Sequence, residues 1–250
     1  MLAAPAMTRT TMVLGAAFAA LMFAGSASAE EGQGTHRFGN RGFIVSADRL
    51  LPLLSYQSIT TTPPGGPSET QSRTSIALMN NGPFGVFNSF YNLPRLGFDW
   101  LPIDNLTLGG AAWLYTDLQA SDSTTVGGVS KSTDTPKATY WGIAPRVGYV
   151  FRMGDLLSLW PRAGIEYHNV SYSDVGAGST SVTQFAVEAE ALLVISPWNH
   201  FGFTVGPTLD APISGEQTSA VTSATGTTTT VKSNVQMWQV GLSAGMIGHF

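Results

Sequence analysis

The chain has 250 residues, of which 43% are hydrophobic and only 11% are charged, with a net charge of −4 and no cysteine. Soluble domains carry about 25% charged residues, so this scarcity of charge needs a physical explanation. Disorder is excluded because disordered chains lack aromatic residues, which make up 10% of this chain. With 12 Lys and Arg against 16 Asp and Glu, the chain also lacks a basic surface for nucleic acid.

The N-terminus has the features of a secretory signal peptide. Arg9 precedes an apolar run over residues 12–24, and small residues ending at Ala29 form a cleavage site before Glu30. The run is too short to anchor the chain, because a membrane-spanning helix needs about 20 apolar residues. We therefore predict a cleaved signal over residues 1–29, and the mature chain, which has no cysteine, is held without disulfides.

Beyond residue 38, apolar residues recur at every second position, which is the period of a β-strand. In residues 138–152, for example, Trp141 and Val147 share one face, whereas Gly142 and Arg146 share the other. The outer face of a soluble antiparallel sheet would carry many charged residues. Here the charged face is sparse and rich in glycine, which suits a narrow interior, and the apolar face suits lipid.

The strands and their connections predict an all-β, transmembrane, antiparallel up-and-down β-barrel with short periplasmic turns and long extracellular loops. Short turns at 103–105, 153–155 and 197–199 alternate with long polar segments at 60–72, 121–136, 174–180 and 214–233. Residues 30–40 are interpreted as a short periplasmic segment and 41–250 as the barrel. The eight predicted strands cover residues 41–57, 93–101, 106–117, 138–152, 156–172, 182–196, 200–213 and 234–250.

Two features complicate this count. Pro52 predicts an irregularity in the first strand, because proline cannot donate to a strand ladder. Residues 73–91 fit poorly: 73–79 resemble a strand, and a ninth strand would place the chain ends on opposite sides. We assign the segment to the first outer loop.

The C-terminus carries a more specific resemblance. Ser243, Gly245 and the terminal Phe250 resemble the C-terminal assembly signal of outer-membrane barrels, although Gly248 replaces its usual large apolar residue. The mature chain resembles the eight-stranded class of bacterial outer-membrane proteins, which includes the OmpA transmembrane domain, OmpX, OmpW and the opacity-like proteins. The resemblance implies a place in the bacterial outer membrane, in contact with lipid and lipopolysaccharide. It also implies periplasmic chaperones and the barrel-assembly machinery as folding partners.

The function of such a barrel depends on whether its interior is open or filled. Eight strands enclose a space that side chains just fill. An arginine or lysine facing mid-membrane lipid costs about 2–4 kcal/mol, so the charges of the strands should point inward. We expect the arginines to pair with Glu166, Glu188 and Glu190, closing the lumen in a structural or surface protein. The alternative is a narrow channel for small solutes, OmpW-like and cation-preferring. By strand alternation, the inward set is Asp48, Arg95, Asp99, Arg146, Arg162, Glu166, His168, Glu188, Glu190 and Asp210.

Enzymatic activity is not predicted. His168, Ser171 and Glu166 are residue types used in nucleophilic catalysis, but three positions along a strand place His168 and Ser171 on opposite faces. No pair of histidines has the spacing of a metal site, so we expect neither metal nor cofactor. The Ser/Thr-rich outer loops leave adhesion to a surface as another alternative, against the simpler interpretation that they are solvated caps.

The tryptophans give partial support to the barrel. Trp113 and Trp160 point inward by alternation, and the sequence leaves open whether they are core residues or mark a bulge. The other four are predicted to form interfacial girdles, three near strand ends and one in a short turn: Trp100, Trp141, Trp238 and Trp198.

Overall fold

The computed structural model describes residues 38–76, 93–116, 121–126, 129–134, 137–174, 178–222 and 227–250. The predicted signal peptide and residues 30–37 lie outside these ranges. Among the described residues, no helix is long and apolar enough to cross a membrane. The strands, in chain order, are β1 (Gly42–Thr62), β2 (Glu69–Ile76), β3 (Arg95–Ile103), β4 (Leu106–Thr116), β5 (Ser121–Val126), β6 (Val129–Asp134), β7 (Lys137–Tyr149), β8 (Phe151–Arg152), β9 (Leu157–Asp174), β10 (Gly178–Trp198), β11 (Phe201–Thr222) and β12 (Thr228–His249).

Eight of these strands close into a ring of antiparallel neighbours in the order β1, β3, β4, β7, β9, β10, β11 and β12. The ring closes where β12 pairs with β1, from Ile44 opposite His249 to Thr62 opposite Asn234. Closure leaves the ring with no exposed sheet edge at this seam. The predicted eight-stranded antiparallel barrel is therefore confirmed.

Two strands, β2 and β3, together fill the place next to β1 in the ring. The lower half of β1 pairs with β3, with Asp48 opposite Arg95, whereas its upper half pairs with β2, from Leu54 opposite Ile76. Assigning residues 73–91 to an outer loop was therefore wrong for its first residues, which belong to β2. The number of strands around the ring stays at eight, because β2 and β3 run in the same direction and lie one above the other beside β1.

One end of the barrel is compact and holds the short turns together with the C-terminus. The turn at Asp104 and Asn105 joins β3 to β4, and Asn105 adopts a positive φ of 70°. Its backbone N–H donates to the carbonyl of Gly39 at 2.8 Å, which ties the start of the barrel to this turn. Short turns mark the periplasmic end of bacterial barrels. Phe38, in the predicted periplasmic segment, lies buried inside this mouth.

At the other end, the long polar segments continue as β-structure. The β11–β12 pairing extends from Glu216 opposite Asn234 to Thr222 opposite Thr228. The segment 214–233, predicted as a long polar outer loop, contains paired strands over its described residues, because a threonine-rich segment needs no core of its own when it extends an existing ladder. Within this ribbon, the Lys232 ammonium donates to Glu216 at 2.9 Å and lowers the pKa of that carboxyl.

In the lower part of the barrel, the outward side chains of every ring strand are apolar. Soluble monomers rarely expose apolar patches beyond a few hundred Å² (roughly 300–600 Å² for the largest patch). A belt around the whole circumference is instead the outer surface of a barrel in lipid. Taken one per strand around the ring, exposed members of this belt are Phe43, Phe98, Leu108, Val147, Ile165, Val187, Phe203 and Val240.

Candidate functional site

Ten charged side chains and His168 are buried together in the barrel interior, behind the apolar belt. They come from β1, β3, β7, β9, β10 and β11, whose inward positions all face the same narrow lumen. Six carboxylates and four guanidiniums give an excess of two negative charges with His168 neutral. The members are Asp48, Arg49, Arg95, Asp99, Arg146, Arg162, Glu166, His168, Glu188, Glu190 and Asp210.

Arg146 links two aspartates from different strands. Its Nη1 donates to Asp48 Oδ2 at 2.8 Å, and its Nη2 donates to Asp99 Oδ2 at 2.6 Å. Its Nε also donates to Asp99 Oδ1 at 3.1 Å, which completes a two-point contact of the kind that favours arginine over lysine. The expected pairing of Arg146 with a glutamate was wrong, because the two aspartates of β1 and β3 lie closer.

Arg162 carries the chain of ion pairs onward from Asp48 to Glu190. Its Nη2 lies 2.9 Å from Asp48 Oδ1, and its Nε donates to Glu190 Oε2. The guanidinium also lies over the ring of Trp160, 4.6 Å from the centroid, where the face of an aromatic ring attracts a cation. Trp160 is therefore an interior residue, and its Nε1 donates to Thr107 at 3.1 Å.

Arg49 is the lumen residue that strand alternation missed. It follows the inward Asp48 directly, so alternation places it on the lipid side. The ladder between β1 and β12 shifts register between Ala47 and Leu51, and Arg49 has a φ of 54°. This bulge, close to the irregularity that Pro52 predicted, turns Arg49 inward. The sequence did contain a signal for this bulge. Alternation assigns Arg49 to the lipid-facing side, where an arginine is costly, and Pro52 lies three residues further along.

Once inside, Arg49 joins three acidic residues of β10 and β11. It donates to both carboxylate oxygens of Asp210, at 2.7 and 3.0 Å, and from Nε to Glu190 Oε1 at 2.9 Å. Glu188 lies further away, at 3.9 Å. The residue thus holds together carboxylates that would otherwise repel one another within the low-dielectric barrel interior.

Arg95 occupies the opposite end of the network. Its Nη1 donates to Glu188 Oε2 at 2.8 Å, and its Nη2 lies 3.0 Å from Glu166 Oε2. The guanidinium packs over Trp113, 4.2 Å from the ring centroid. His168 Nδ1 lies 3.1 Å from Glu166 Oε1. The ion pairs therefore run without a break from Asp99 on β3 to Glu166 on β9, and the hydrogen-bond contact with His168 ends the network.

Apolar side chains enclose the network on both sides. Towards the periplasm, Phe38 packs edge-on against Trp160 at 5.5 Å and against His249 at 5.6 Å, in a cluster that also contains Ile44 and Leu192. Towards the outside, a second cluster contains Trp113, Tyr140, Val170, Val235 and Met237. The interior is therefore layered, with ions between two apolar layers.

Glycines on the inward face provide the space that these large side chains occupy. A Cβ at Gly97 would lie 2.2 Å from Ser46 Oγ and 2.5 Å from Arg146 Nη2. A Cβ at Gly142 would lie 2.2 Å from the ring of Trp113. Contacts this short are excluded by steric overlap, so the sparse, glycine-rich face of the strands is a packing requirement of the lumen.

One group of acids has the proximity of a metal site. Oxygens of Glu166, Glu188 and Asp210 all lie within 4.8 Å of one another. Their spacing in the sequence gave no signal because they come from three different strands. Arg49 and Arg95 contact the same carboxylates at 2.7, 2.8 and 3.0 Å, so guanidiniums already supply positive charge at this place.

His168 and Ser171 lie on opposite faces of β9. His168 is buried in the lumen, whereas Ser171 is exposed on the outer face and donates to Asn169 Oδ1 at 3.1 Å. The two side chains cannot act as a nucleophile and its base, because that role requires hydrogen-bond contact between them.

The remaining candidate residues lie at the barrel ends and surface. Phe250 pairs with Phe43 through two backbone hydrogen bonds of 2.8 and 2.9 Å, which extends the seam to the last residue. Ser243 is buried, and Gly245 faces the bulge of β1, where a Cβ would lie 2.5 Å from the Ala47 carbonyl oxygen. The tryptophans with exposed, outward side chains are Trp100, Trp141, Trp198 and Trp238.

Solved structures of bacterial outer-membrane proteins are similar to this chain over most of its length. OprG from Pseudomonas aeruginosa shares 10% identity at a TM-score of 0.47, covering 86% of this chain and 99% of that chain. Ail, the attachment invasion locus protein of Yersinia pestis, shares 13% identity at a TM-score of 0.34, covering 83% and 99%. The outer membrane protease OmpT from Escherichia coli shares 9% identity at a TM-score of 0.37, covering 84% and 97%. Neither protein-family models nor curated protein sequences gave a match.

These similarities concern the general fold. The class itself follows from three features of the chain: the closed ring of eight strands, the apolar belt on its exterior and the ion pairs buried in its interior. Together they define a small transmembrane β-barrel, the class that the sequence predicted.

Proposed function

We propose that the protein is a structural or surface barrel of the bacterial outer membrane whose lumen is closed to solutes. The observation that carries the proposal is the unbroken set of ion pairs, from Asp99 through Arg146, Asp48 and Arg162 to Glu190 and beyond. A conducting pore keeps its charged groups in water. Here each guanidinium is buried and held between carboxylates.

The two apolar layers support the same conclusion. A solute that entered from the outside would first meet Trp113 and Tyr140, and on leaving it would meet Trp160 and Phe38. Eight-stranded barrels have interiors that side chains just fill, so closure needs no separate plug domain. The outer-membrane location is supported by the signal peptide predicted from the sequence, the short turns at one end and the long ribbons at the other.

Planar-bilayer recordings on the purified, refolded protein test this function. We expect a flat baseline at both polarities, even when gel mobility before and after boiling shows that the sample is a folded barrel. Steady, reproducible current steps would instead establish the narrow channel. In that case the excess of carboxylates predicts a preference for cations.

A second role, adhesion, is favoured by the β11–β12 ribbon, which extends the barrel wall outward as paired strands. Paired strands present their hydroxyl groups in a regular array, unlike a solvated irregular loop. Surface attachment of cells that carry the protein without residues 217–233 tests this role. Unchanged attachment would remove the ribbon from consideration.

A further inference from the structure

The outer wall above the apolar belt carries a groove that the closed lumen does not explain. It has a volume of about 460 Å³ and spans β4, β7, β9 and β10 on the side of the long ribbons. Strand pairing places four hydroxyl residues in one row across it, each opposite the next: Thr116, Thr139, Ser171 and Ser181.

A second row completes the groove one step further out. Lys137 lies opposite Ser173, and Ser173 lies opposite Ser179. Lys137 and Ser173 are exposed. The groove therefore offers one ammonium and a regular array of hydroxyl donors and acceptors, which is the chemistry that binds phosphate and sugar groups.

The groove continues directly into the lipid-facing surface. Immediately below its hydroxyl rows, on the same outward face, lies Trp141, which packs against Tyr167 at 5.3 Å. Tyr167 in turn packs against Phe185 at 4.8 Å. Aromatic rings of this kind mark the boundary between hydrocarbon and headgroups in transmembrane barrels. A molecule seated in the groove would therefore have its apolar part on these rings.

We infer that the groove binds the phosphorylated sugar headgroup of an outer-leaflet glycolipid, with its acyl chains lying along Trp141, Tyr167 and Phe185. Lys137 contacts a phosphate, and the serine and threonine hydroxyls bond the sugar. This inference rests on the proposed outer-membrane placement. Continuity between the polar groove and the apolar belt favours a lipid over a soluble sugar, because a soluble sugar has no apolar part to contact the aromatic rings below the groove.

Binding of purified, doubly phosphorylated lipid A to the refolded full-length mature protein in detergent micelles tests the inference. The Lys137→Ala variant should bind about fivefold more weakly, the factor for one lysine at an anionic membrane surface. The Ser171→Leu variant should lose at least as much, because its side chain fills the groove. Arg152→Ala, which removes an exposed cation from the periplasmic end of the barrel, is the control and should bind as the unaltered protein does.

Three further probes separate the sources of such binding. Dephosphorylated lipid A should bind more weakly than lipid A, and the difference should shrink in Lys137→Ala. Equal binding of phosphatidylglycerol would overturn the inference in favour of a general anionic surface. Full competition by inorganic phosphate would overturn it in favour of a free-phosphate site.

Equal losses in Lys137→Ala and Arg152→Ala, or no loss in either, would also overturn the site. The mobility shift on boiling confirms that each variant is folded. Failure of the site would leave that shift and the flat bilayer baseline unchanged, so it is distinguishable from failure of the proposed function.

Discussion

The lower and upper halves of the barrel wall have opposite polarity, although most strands run through both. In the lower half of β9, Ile165 faces outward and Glu166 faces inward, whereas in the upper half Ser171 faces outward and Val170 inward. Side chains point alternately inward and outward along the whole strand. The apolar side chains point outward in the lower half and inward in the upper half. The level at which this change occurs marks the boundary between lipid and water, because a face in contact with lipid is apolar and a face in contact with water is polar.

The comparison also explains how the two halves are stabilised. The upper half packs apolar side chains such as Tyr140 and Met237 inside, as soluble proteins do. The lower half has lipid outside and fills its interior with ion pairs. Removing one partner of a buried ion pair is costly because it leaves an uncompensated charge. The largest effects of substitution are therefore expected in the lower interior.

Replacing Arg49 should have the largest effect. In the Arg49→Met variant, Asp210 and Glu190 lose their shared partner, and we expect the free energy of unfolding to fall by about 3–5 kcal/mol. Urea titration of the refolded barrel measures this change. Arg152→Met is the control, since Arg152 is exposed at the periplasmic rim, where hydrogen bonds such as the one to Asn40 contribute about 0–1 kcal/mol. Similar losses in both variants would contradict the role of Arg49.

A charge on the outer face tests the level at which polarity changes. Lysine at Ile165, within the apolar belt, should cost about 2–4 kcal/mol, since the ammonium would face hydrocarbon. Lysine at Ser171, six positions along on the same face of the same strand, should cost about 0–1 kcal/mol because that position lies above the belt. Unfolding titrations in lipid vesicles compare the two. Equal costs would place the boundary elsewhere.

The sequence predicted the ring because alternation and turn spacing are local signals. It missed Arg49 and the composite β2–β3 position, since both depend on how neighbouring strands pair. A bulge reverses alternation for the residues that follow it, and only the partner strand β12 defines where the extra residues lie. The ion-pair partners were equally unpredictable, because Asp48 and Arg146 are 98 positions apart in the chain.

Adding a methyl group at Gly97 tests the tight packing of the ionic layer. Gly97→Ala should destabilise the barrel by about 1–3 kcal/mol, because Ser46 and Arg146 must move away. Combining it with Ser46→Ala removes the nearest of three clashing atoms, the other two being Arg146 Nη2 and Asp48 Oδ2. The double variant should therefore be more stable than the sum of the single effects predicts, as a double-mutant cycle in urea would show. If the two substitutions had additive effects on the free energy of unfolding, the side chains of the ionic layer would be able to move aside without cost, and tight packing would be contradicted.

Shortening the upper half should have the smallest effect. Replacing residues 217–233 by a two-residue turn joins Glu216 to Asn234, which lie directly opposite each other. Where the structure describes the ribbon's side chains, they are exposed or half-buried, so we expect the free energy of unfolding to change by less than about 1 kcal/mol. A large loss in the same urea titration would show that the ribbon supports the barrel below it.

The central claim, that ion pairs close the lumen within the membrane, is tested most directly by a single thiol. The chain has no cysteine, so Ser46→Cys places the only thiol beside Asp48 and Arg146, at a fully buried position. Ser171→Cys places one on the exposed outer wall as a control. A small, water-soluble thiol reagent should modify Ser171→Cys in the folded barrel at once, and Ser46→Cys only after denaturation. Rapid modification of Ser46→Cys in the folded barrel would contradict a closed lumen.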